Sequence, residues 1–320
     1  MIAGLPFFAW PTQGQMLSIL IYHRVLAIPD PLRPGEVDAA VFDTQMHHLS
    51  KNCEVIPLLE ATTLLKQGKL PRRACCITFD DGYADNFTVA LPILEKYRLS
   101  ATVFIATAYL DGGKMFNDTV IDLIANTKEK SLDLRDIGLG DFVLDSDASR
   151  RDAIAALLAK LRYVPLQERE TLTAQIRKLA GSEEMPIDTM LTTEQVKMLP
   201  GRGIEVGGHT DAHTILTTLG AEQSYAEIQR GKCRLEAIIE KPIRAFAYPN
   251  GFPNRDYADE HVRIVKELGF EVAVTTAAGI ARRDSDIYQL PRFTPWDKGM
   301  LMWSARLVKN AWLRRPAAVI

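Results

Sequence analysis

Residues 74–82 of this 320-residue chain read ACCITFDDG and combine a strand pattern with an acidic turn. Residues 74–79 are apolar and partly β-branched, which is typical of a buried strand, and Asp80-Asp81-Gly82 ends that pattern abruptly. Neighbouring side chains alternate along a strand, but a turn at Gly82 would bring both carboxylates toward one pocket. The two then suit different tasks, one binding a metal and the other moving protons.

A second motif, HTDAH at residues 209–213, follows the short strand pattern GIEVGG at 203–208. His209 and His213 are four residues apart, a spacing that on a helical turn places both imidazoles on one face, as in zinc-binding histidine pairs. With Asp81 they would supply three protein ligands and leave positions open for water and a substrate oxygen, as in a catalytic zinc site. Each motif alone has a simpler interpretation, a turn or a solvated helix face, but together they complete one ligand set.

Both motifs resemble those of the polysaccharide deacetylases, the family four carbohydrate esterases, which read Thr-Phe-Asp-Asp-Gly and His-Ser/Thr-x-x-His. The resemblance extends from about residue 19 to residue 296. It implies that Asp80 is the general base and that Thr210 braces the histidine loop by hydrogen bonding. It also implies that Asp81, His209 and His213 bind a divalent metal, with Zn²⁺ first and Co²⁺ or Ni²⁺ as alternatives.

A third motif of the family is matched only loosely, by RAFAYPNG at residues 244–251. This variant resembles that of exopolysaccharide-associated deacetylases, which implies that Tyr248 lines the groove and that its backbone amide helps to hold an oxyanion. Asn250 would be a further substrate contact. The alternative is that YPNG is only a turn after a strand.

The general acid of the family, a histidine in Leu-x-His, is replaced here by Arg292 in LPRF at 290–293. The Tyr-His-Arg element at 22–24 resembles the start of the exopolysaccharide deacetylases and implies that His23 is the acid, although a histidine at a strand end can have no chemical role. Arg292 would orient or ionise Asp80, since a nearby guanidinium favours the charged carboxylate. Arg244 is the competing candidate for that task, and either arginine can be an ordinary surface charge.

Eight short apolar segments alternate with helical stretches, a pattern that predicts a parallel sheet. They cover residues 17–22, 53–57, 74–79, 101–106, 203–206, 244–248, 270–275 and 288–293. The candidate site residues fall at or just after the ends of these strands, which gather on one rim in a closed β/α barrel. The fold class is therefore α/β, and the resemblance implies a distorted (β/α) barrel of about seven strands with a helical insertion.

The barrel is assigned to residues 1–297, with the insertion at about 111–200. Apolar residues at helical spacing predict helices at 152–161 and 166–179, and TTEQ at 192–195 has a capping-box pattern. Asn117 and Asp118 could reach sugar hydroxyls if the insertion roofs the groove. The alternative is that the insertion only decorates the barrel.

Residues 298–320 form a separate segment, predicted to be a basic amphipathic helix. It contains Trp303 and Trp312 together with several arginines and lysines. Such a helix can lie on a membrane surface, or it can pack across the barrel.

Composition limits the protein class and the compartment. A 47% hydrophobic content is enough for a full barrel core, and a net charge of −2 argues against nucleic acid as a partner. The four cysteines, of which Cys75 and Cys76 are neighbours, do not form a disulfide framework and indicate a reducing compartment. The first eighteen residues lack the pattern of a signal peptide, so we expect a cytoplasmic enzyme, with membrane association through residues 298–320 as an extension.

The expected activity is metal-dependent removal of N-acetyl groups from an amino sugar of a bacterial polysaccharide or its lipid-linked precursor. The expected partner is therefore an N-acetylated saccharide, whereas the sequence leaves the oligomeric state open. Two alternatives are a hydrolase of the same fold that acts on acetyl esters or cyclic amides, and a noncatalytic sugar-binding barrel. The intact set of Asp80, Asp81, His209 and His213 argues against the last of these.

Overall fold

The computed structural model describes residues 16–181, 189–295, 297–311 and 317–319. Its strands are β1 Met16–Tyr22, β2 Val25–Leu26, β3 Val37–Asp38, β4 Glu54–Val55, β5 Ala74–Phe79, β6 Ala101–Ile105, β7 Ser131–Leu134, β8 Gly140–Val143, β9 Ile204–Gly208, β10 Ala245–Ala247, β11 Val272–Ala278, β12 Ala281–Arg282 and β13 Leu290–Arg292. Its α-helices are α1 Ala39–Asn52, α2 Leu58–Gln67, α3 Leu91–Tyr97, α4 Phe116–Asn126, α5 Asp147–Leu161, α6 Leu166–Leu179, α7 Thr193–Met198, α8 Ala221–Ile239, α9 Asp259–Glu267 and α10 Met300–Ala311.

The main sheet follows the order β12-β1-β5-β6-β9-β10-β11-β13, and β4 pairs with β5. Neighbours from β1 to β13 are parallel, whereas β12 is antiparallel to β1. Phe293, directly after β13, donates its N–H to the Ile19 carbonyl at 2.7 Å and accepts from the Ile21 N–H at 3.0 Å. These bonds join β13 to β1, so the sheet is a nearly closed barrel. The predicted barrel is confirmed, and each of the eight strand candidates corresponds to a strand.

The two faces of the barrel strands bury their side chains in different clusters. Leu17, Ile19, Cys76 and Leu290 belong to an apolar cluster inside the barrel, together with residues of α2. The alternate residues, such as Leu20, pack outward against the surrounding helices. Side chains point to the same face at every second position of a strand. A residue just past the end of a strand, in step with the inward-facing positions, therefore faces the barrel mouth.

The insertion has its own apolar cluster, built from α4, α5, α6 and the hairpin of β7 and β8. The helices predicted at 152–161 and 166–179 are present within α5 and α6, but the hairpin was not predicted. At the start of α7, Thr192 Oγ1 accepts from the Gln195 N–H at 3.2 Å, and Gln195 Oε1 accepts from the Thr192 N–H at 2.9 Å. The capping box is therefore confirmed.

Helix α10 packs on the barrel through Trp303, Leu307 and Val308, which are buried. Its Leu301 and Met302 are exposed. The predicted helix at 298–320 is thus observed at 300–311, and Trp312 and the arginines after it lie outside the described residues. Among the described helices, none combines the length and the apolarity needed to span a bilayer. Contact of this segment with a membrane surface stays a prediction.

Candidate active site

The turn after β5 places two carboxylates at the barrel mouth. The Asp80 N–H donates to the Tyr22 carbonyl at 3.0 Å and so extends the pairing of β5 with β1. Asp81 then has a φ of +76° and Gly82 a φ of +87°, which reverses the alternation of side chains. A Cβ on Gly82 would lie 3.0 Å from Ile105 Cγ2, so the glycine also permits close packing on β6. The predicted turn is present, although the reversal begins at Asp81 itself.

Asp81 meets both histidines of the second motif. Its Oδ1 lies 3.3 Å from His209 Nε2 and 3.2 Å from His213 Nε2, and the ligand atoms of the three residues all lie within 4.8 Å of one another. Apart from these imidazoles, no hydrogen-bond donor of the described chain reaches the buried Asp81 Oδ1. A buried oxygen with no other partner, facing two imidazole nitrogens, is a suitable donor set for Zn²⁺ or a similar divalent cation.

Burial and charge favour the metal-binding form of two of the three ligands, Asp81 and His213. Burial raises the pKa of Asp81, but the neighbouring imidazoles outweigh burial and hold the pKa well below its usual range. Burial lowers the pKa of His213, which favours the neutral imidazole that a metal requires. For His209 burial acts in the same direction, but the charges of Asp80 and Asp81 exceed it and raise the pKa.

The histidine motif is a loop and not the helical turn that the spacing suggested. Thr210 and His213 have φ values of +63° and +52°, a region that costs non-glycine residues about 1–3 kcal/mol each. The His209 Nδ1 lies 2.7 Å from the Ala247 carbonyl, and because a carbonyl only accepts, this nitrogen must carry the proton. In the neutral imidazole, the Nε2 atom then directs its lone pair toward the side of Asp81, as a metal ligand requires.

The brace of this loop is not the one predicted. Thr210 Oγ1 is buried and has no hydrogen-bond partner within the described ranges. Glu227 on α8 holds the loop instead, since its Oε1 accepts from the Ala212 N–H at 2.5 Å, while the Tyr109 hydroxyl donates to the Ala212 carbonyl at 3.0 Å. A Cβ on Gly231 would lie 2.4 Å from the Thr210 carbonyl oxygen, so only glycine lets α8 approach this closely.

Asp80 is paired with Arg292, as the sequence suggested. The guanidinium Nη1 and Nη2 donate to Asp80 Oδ1 and Oδ2 at 2.7 and 2.6 Å, and both side chains are at most 2% exposed. Arg292 Nε donates to the Thr275 carbonyl at 2.8 Å, which fixes the fork. Burial raises the pKa of Asp80, but Arg292 outweighs it and lowers the pKa below its usual value. The competing candidate Arg244 is wrong for this task, because it forms an exposed pair with Glu271.

A cavity of about 390 Å³ opens above these residues. His23, Asn117 and Asn250 line it together with Asp80 and Asp81. His23 follows β1, and its carbonyl accepts from Asn86 Nδ2 at 2.8 Å, which holds the backbone at the strand end. Since His209 and His213 line it as well, seven of the candidate residues from the sequence share one pocket.

The prediction for Tyr248 is corrected. Its side chain is fully buried in the helix layer, stacked on Tyr257 with a centroid distance of 4.0 Å, and its hydroxyl donates to the Tyr288 carbonyl at 3.1 Å. Its N–H donates to the Val274 carbonyl at 3.3 Å. The cause is strand alternation, because Ala247 faces the barrel interior and so Tyr248 faces outward. Neither its ring nor its amide is available to a substrate in this structure.

The prediction for Asp118 is corrected as well. Its side chain has no exposed surface, and its oxygens accept from the Tyr83 hydroxyl and from Arg33 Nη1, both at 2.8 Å. A carboxylate that is buried and bonded in this way stabilises the fold and cannot reach a sugar hydroxyl in the cavity. Its neighbour Asn117 does reach the pocket, and its Nδ2 donates to the Tyr83 hydroxyl at 3.2 Å.

Several lining residues were not identified from the sequence. Glu36 precedes β3, and its Oε2 accepts from the Arg24 N–H at 3.3 Å; burial raises its pKa, although His23 acts against that effect. Arg162, Arg169 and Arg255 also line the pocket. None of these four residues belongs to a motif. Arg162 and Arg169 reach the site only because the insertion docks on the barrel. Tyr83 is the exception, since it directly follows the acidic turn.

Residues 67–133 and 162–273 match the sequence model of the polysaccharide deacetylase family. A putative polysaccharide deacetylase, YxkH of Bacillus subtilis, is 25% identical over 86% of this chain and 70% of its own length. A poly-β-1,6-N-acetyl-D-glucosamine N-deacetylase of Staphylococcus aureus is 33% identical over 80% of this chain and 66% of its own length. The chain thus matches about two thirds of the length of these relatives.

Solved structures show the same fold. The deacetylase PplD of Streptococcus pyogenes, solved in complex with acetate, has a TM-score of 0.62 at 20% identity and covers 92% of this chain and 98% of its own. IcaB of Ammonifex degensii has a TM-score of 0.61 at 18% identity, again covering 92% and 98%. At these identities the likeness concerns the fold.

Proposed function

Because this chain belongs to the polysaccharide deacetylase family, we propose that it hydrolyses the N-acetyl amide of an amino sugar in a bacterial polysaccharide or its lipid-linked precursor. The observation that carries this proposal is the buried cluster of Asp81, His209 and His213 beside a separate, ionised Asp80. The name of the staphylococcal relative supports an exopolysaccharide of N-acetylglucosamine as the substrate class.

In this proposal, Asp80 acts as the general base. Arg292 keeps it ionised, and because it is not needed to complete the ligand set, it can accept the proton of the attacking water. His23 lines the same pocket and can donate a proton to the departing sugar amine. A divalent cation bound by the three ligands, Zn²⁺ first and Co²⁺ or Ni²⁺ as alternatives, would polarise the acetamide carbonyl and acidify water. We further propose that the protein works in the reducing cytoplasm, which the four free thiols support.

The test is acetate release from β-1,6- and β-1,4-linked N-acetylglucosamine oligomers, with acetyl-xylan as the ester control. We expect acetate from the oligomers and little from the ester. Release from the ester alone would make the chain an esterase of the same fold, and no release from any substrate after metal loading would refute the proposal.

Metal content separates the residue roles without relying on turnover. We expect Asp81→Ala and His209→Ala to lose bound Zn²⁺, measured by atomic emission after dialysis, along with activity. Asp80→Asn should retain the metal and lose turnover. His47→Ala is the control, since this exposed histidine on α1 lies outside the pocket. Full metal occupancy in His209→Ala would show that the ligand set is wrong.

A further inference from the structure

The wall of the pocket that the insertion supplies carries positive charge. Three residues of the insertion line the cavity: Leu158 and Arg162 at the end of α5, and Arg169 on α6. Phe116 and Asn117, at the start of α4, complete this contribution. The family resemblance assigns no role to these arginines, and the proposed hydrolysis does not need them.

Arg169 is a buried cation that forms no ion pair within the described ranges of the chain. Its side chain is 4% exposed, its guanidinium lies 4.2 Å from the centroid of the Phe116 ring, and its Nε has no hydrogen-bond partner. No carboxylate of the described residues forms an ion pair with it, although Glu170 is next in the chain. Burial lowers its pKa, which reflects the free-energy cost of an uncompensated charge. An anion placed in the pocket would offset that cost.

Arg162 lines the same pocket as another arginine, Arg255. The Tyr163 hydroxyl, one residue along, donates to Asp256 Oδ1 at 2.8 Å and ties the end of α5 to the loop after β10. Arg255 on that loop is paired with Asp256 at 3.2 Å, so most of its charge is already offset. Arg162 forms no ion pair with any residue in the described part of the chain, and it therefore adds a free positive charge beside the cavity.

The acids of the pocket are committed elsewhere. Asp80 is held by Arg292, and Asp81 faces the two histidines. Glu36 accepts a hydrogen bond from the Arg24 backbone, on the side of the pocket formed by β1 and β3. Among the residues that the structure describes, the arginines of the insertion thus line the cavity without a carboxylate paired to them.

We propose that Arg169 and Arg162 form a subsite for an oxyanion, so the natural substrate is an acidic glycan with a phosphate or carboxylate group near the acetylated sugar. This inference rests on the proposed function, because it names the substrate class of the same pocket. Guanidinium groups bind both oxyanions through paired N–H donors, and a charge-assisted hydrogen bond in a partly dehydrated site is worth about tenfold in affinity or more.

The test uses the metal-loaded protein and sugars without N-acetyl groups, so that nothing is hydrolysed. Binding is measured by titration calorimetry for cellotetraose, for cellotetraose carrying a 6-phosphate, and for a tetrasaccharide ending in glucuronate. We expect at least one acidic probe to bind about tenfold more tightly than cellotetraose. The probe that shows the preference identifies phosphate or carboxylate as the anion.

Arg169→Met keeps the apolar stem on Phe116 and should reduce the preference to about twofold or less, whereas Arg169→Lys should keep part of it. Arg135→Met is the matched control: it removes one charge from the insertion at an exposed arginine paired with Asp133, outside the pocket. Should Arg169→Met fail to fold, the exposed Arg162→Met carries the same expectation with a smaller loss.

Equal binding of the three probes by the wild-type protein would overturn the subsite, and so would a preference that survives both Arg169→Met and Arg162→Met. Failure of the proposed function is seen separately, as absence of acetate release both from neutral N-acetylglucosamine oligomers and from N-acetylglucosamine oligomers that carry a phosphate or a carboxylate. A preference for an acidic probe without acetate release would uphold the subsite and refute the deacetylase. Acetate release without a preference for an acidic probe would uphold the deacetylase and refute the subsite.

Discussion

Replacing Arg292 by methionine tests how Asp80 is kept ionised. In the folded protein the pair is bidentate, with N···O distances of 2.7 and 2.6 Å, and it is almost completely removed from water. Methionine fills much of the same space but leaves the carboxylate alone in a buried site. The chain offers a matched control in Arg244, which forms a two-point pair with Glu271 of similar length but about half exposed.

The loss in free energy of unfolding should be several-fold larger for Arg292→Met than for Arg244→Met. Removing one partner of a buried ion pair costs about 3–5 kcal/mol, since it leaves an uncompensated charge. An exposed pair contributes about 0.2–1 kcal/mol. A buried carboxylate limits its own cost by taking up a proton, and one pKa unit corresponds to 1.36 kcal/mol. The loss of Arg292 would therefore raise the pKa of Asp80 in Arg292→Met, because burial is then no longer opposed by the guanidinium.

The sign of the pH dependence follows from the lowered pKa of Asp80 in the wild-type protein. The pair contributes stability that is fully present above about pH 4, the usual pKa of the unfolded carboxyl, and that is lost as the pH falls through the lower folded value. The difference between wild-type and Arg292→Met should therefore be largest near neutral pH and shrink in acid. Urea unfolding at several pH values measures it, and the acid limb of acetate release should move to higher pH in parallel.

The reasoning would be refuted if Arg292→Met and Arg244→Met lost the same stability and the acid limb stayed in place. Arg292→Lys is the alternative test if the methionine variant does not fold. Lysine keeps the charge but not the two-point fork, so we expect an intermediate loss and a smaller shift of the acid limb.

Three further perturbations concern the acid and the histidine loop. His23→Gln should slow turnover and flatten the basic limb of the pH–rate profile, measured as kcat against pH; an unchanged limb would assign the acid to another group. Glu227→Ala removes the acceptor of the Ala212 N–H and should weaken Zn²⁺ affinity by about 10–100-fold in a chelator competition, whereas Glu222→Ala on the exposed side of α8 should have no effect; equal affinities would show that the brace is unimportant. Gly231→Ala should cost about 1–3 kcal/mol of stability in urea and loosen the metal site, because its Cβ would meet the Thr210 carbonyl; Gly201→Ala has open space and is the control, and equal losses would contradict the close approach.

The sequence predicted the barrel because its strands are short apolar runs, bounded by turns and alternating with helices. Residues 74–82 alone predicted a strand, its end and the carboxylates beyond it, and all three are observed. Asp81, His209 and His213 could be grouped from residue type and motif, since the acidic turn directly follows β5 and the histidine motif directly follows β9 of the same sheet. The β7–β8 hairpin was missed because its strands are only four residues long and lie between helices.

Predictions failed where the direction of a side chain depends on a partner distant in the chain. Tyr248 lies in a suitable motif, yet it points outward because Ala247 occupies the inward position. Asp118 is next to Asn117, which does line the pocket, yet its carboxylate is buried, paired with Arg33 and hydrogen-bonded by the Tyr83 hydroxyl. Sequence spacing gives the distance along an element, but it does not give the face that the element turns toward the site.

By itself, the sequence determined the strands, the acidic turn and the residue types that can hold a divalent cation, because strand patterns and ligand chemistry are local properties. Only the tertiary structure decided that Arg292, and not Arg244, ionises Asp80, and that Glu227, and not Thr210, braces the histidine loop. Asp80 and Arg292 are 212 positions apart and meet because closing the barrel brings the strand ends to one rim. Glu227 reaches the histidine loop because α8 packs closely against it at Gly231. The position of a charge in that rim depends on three-dimensional packing, which no local pattern encodes.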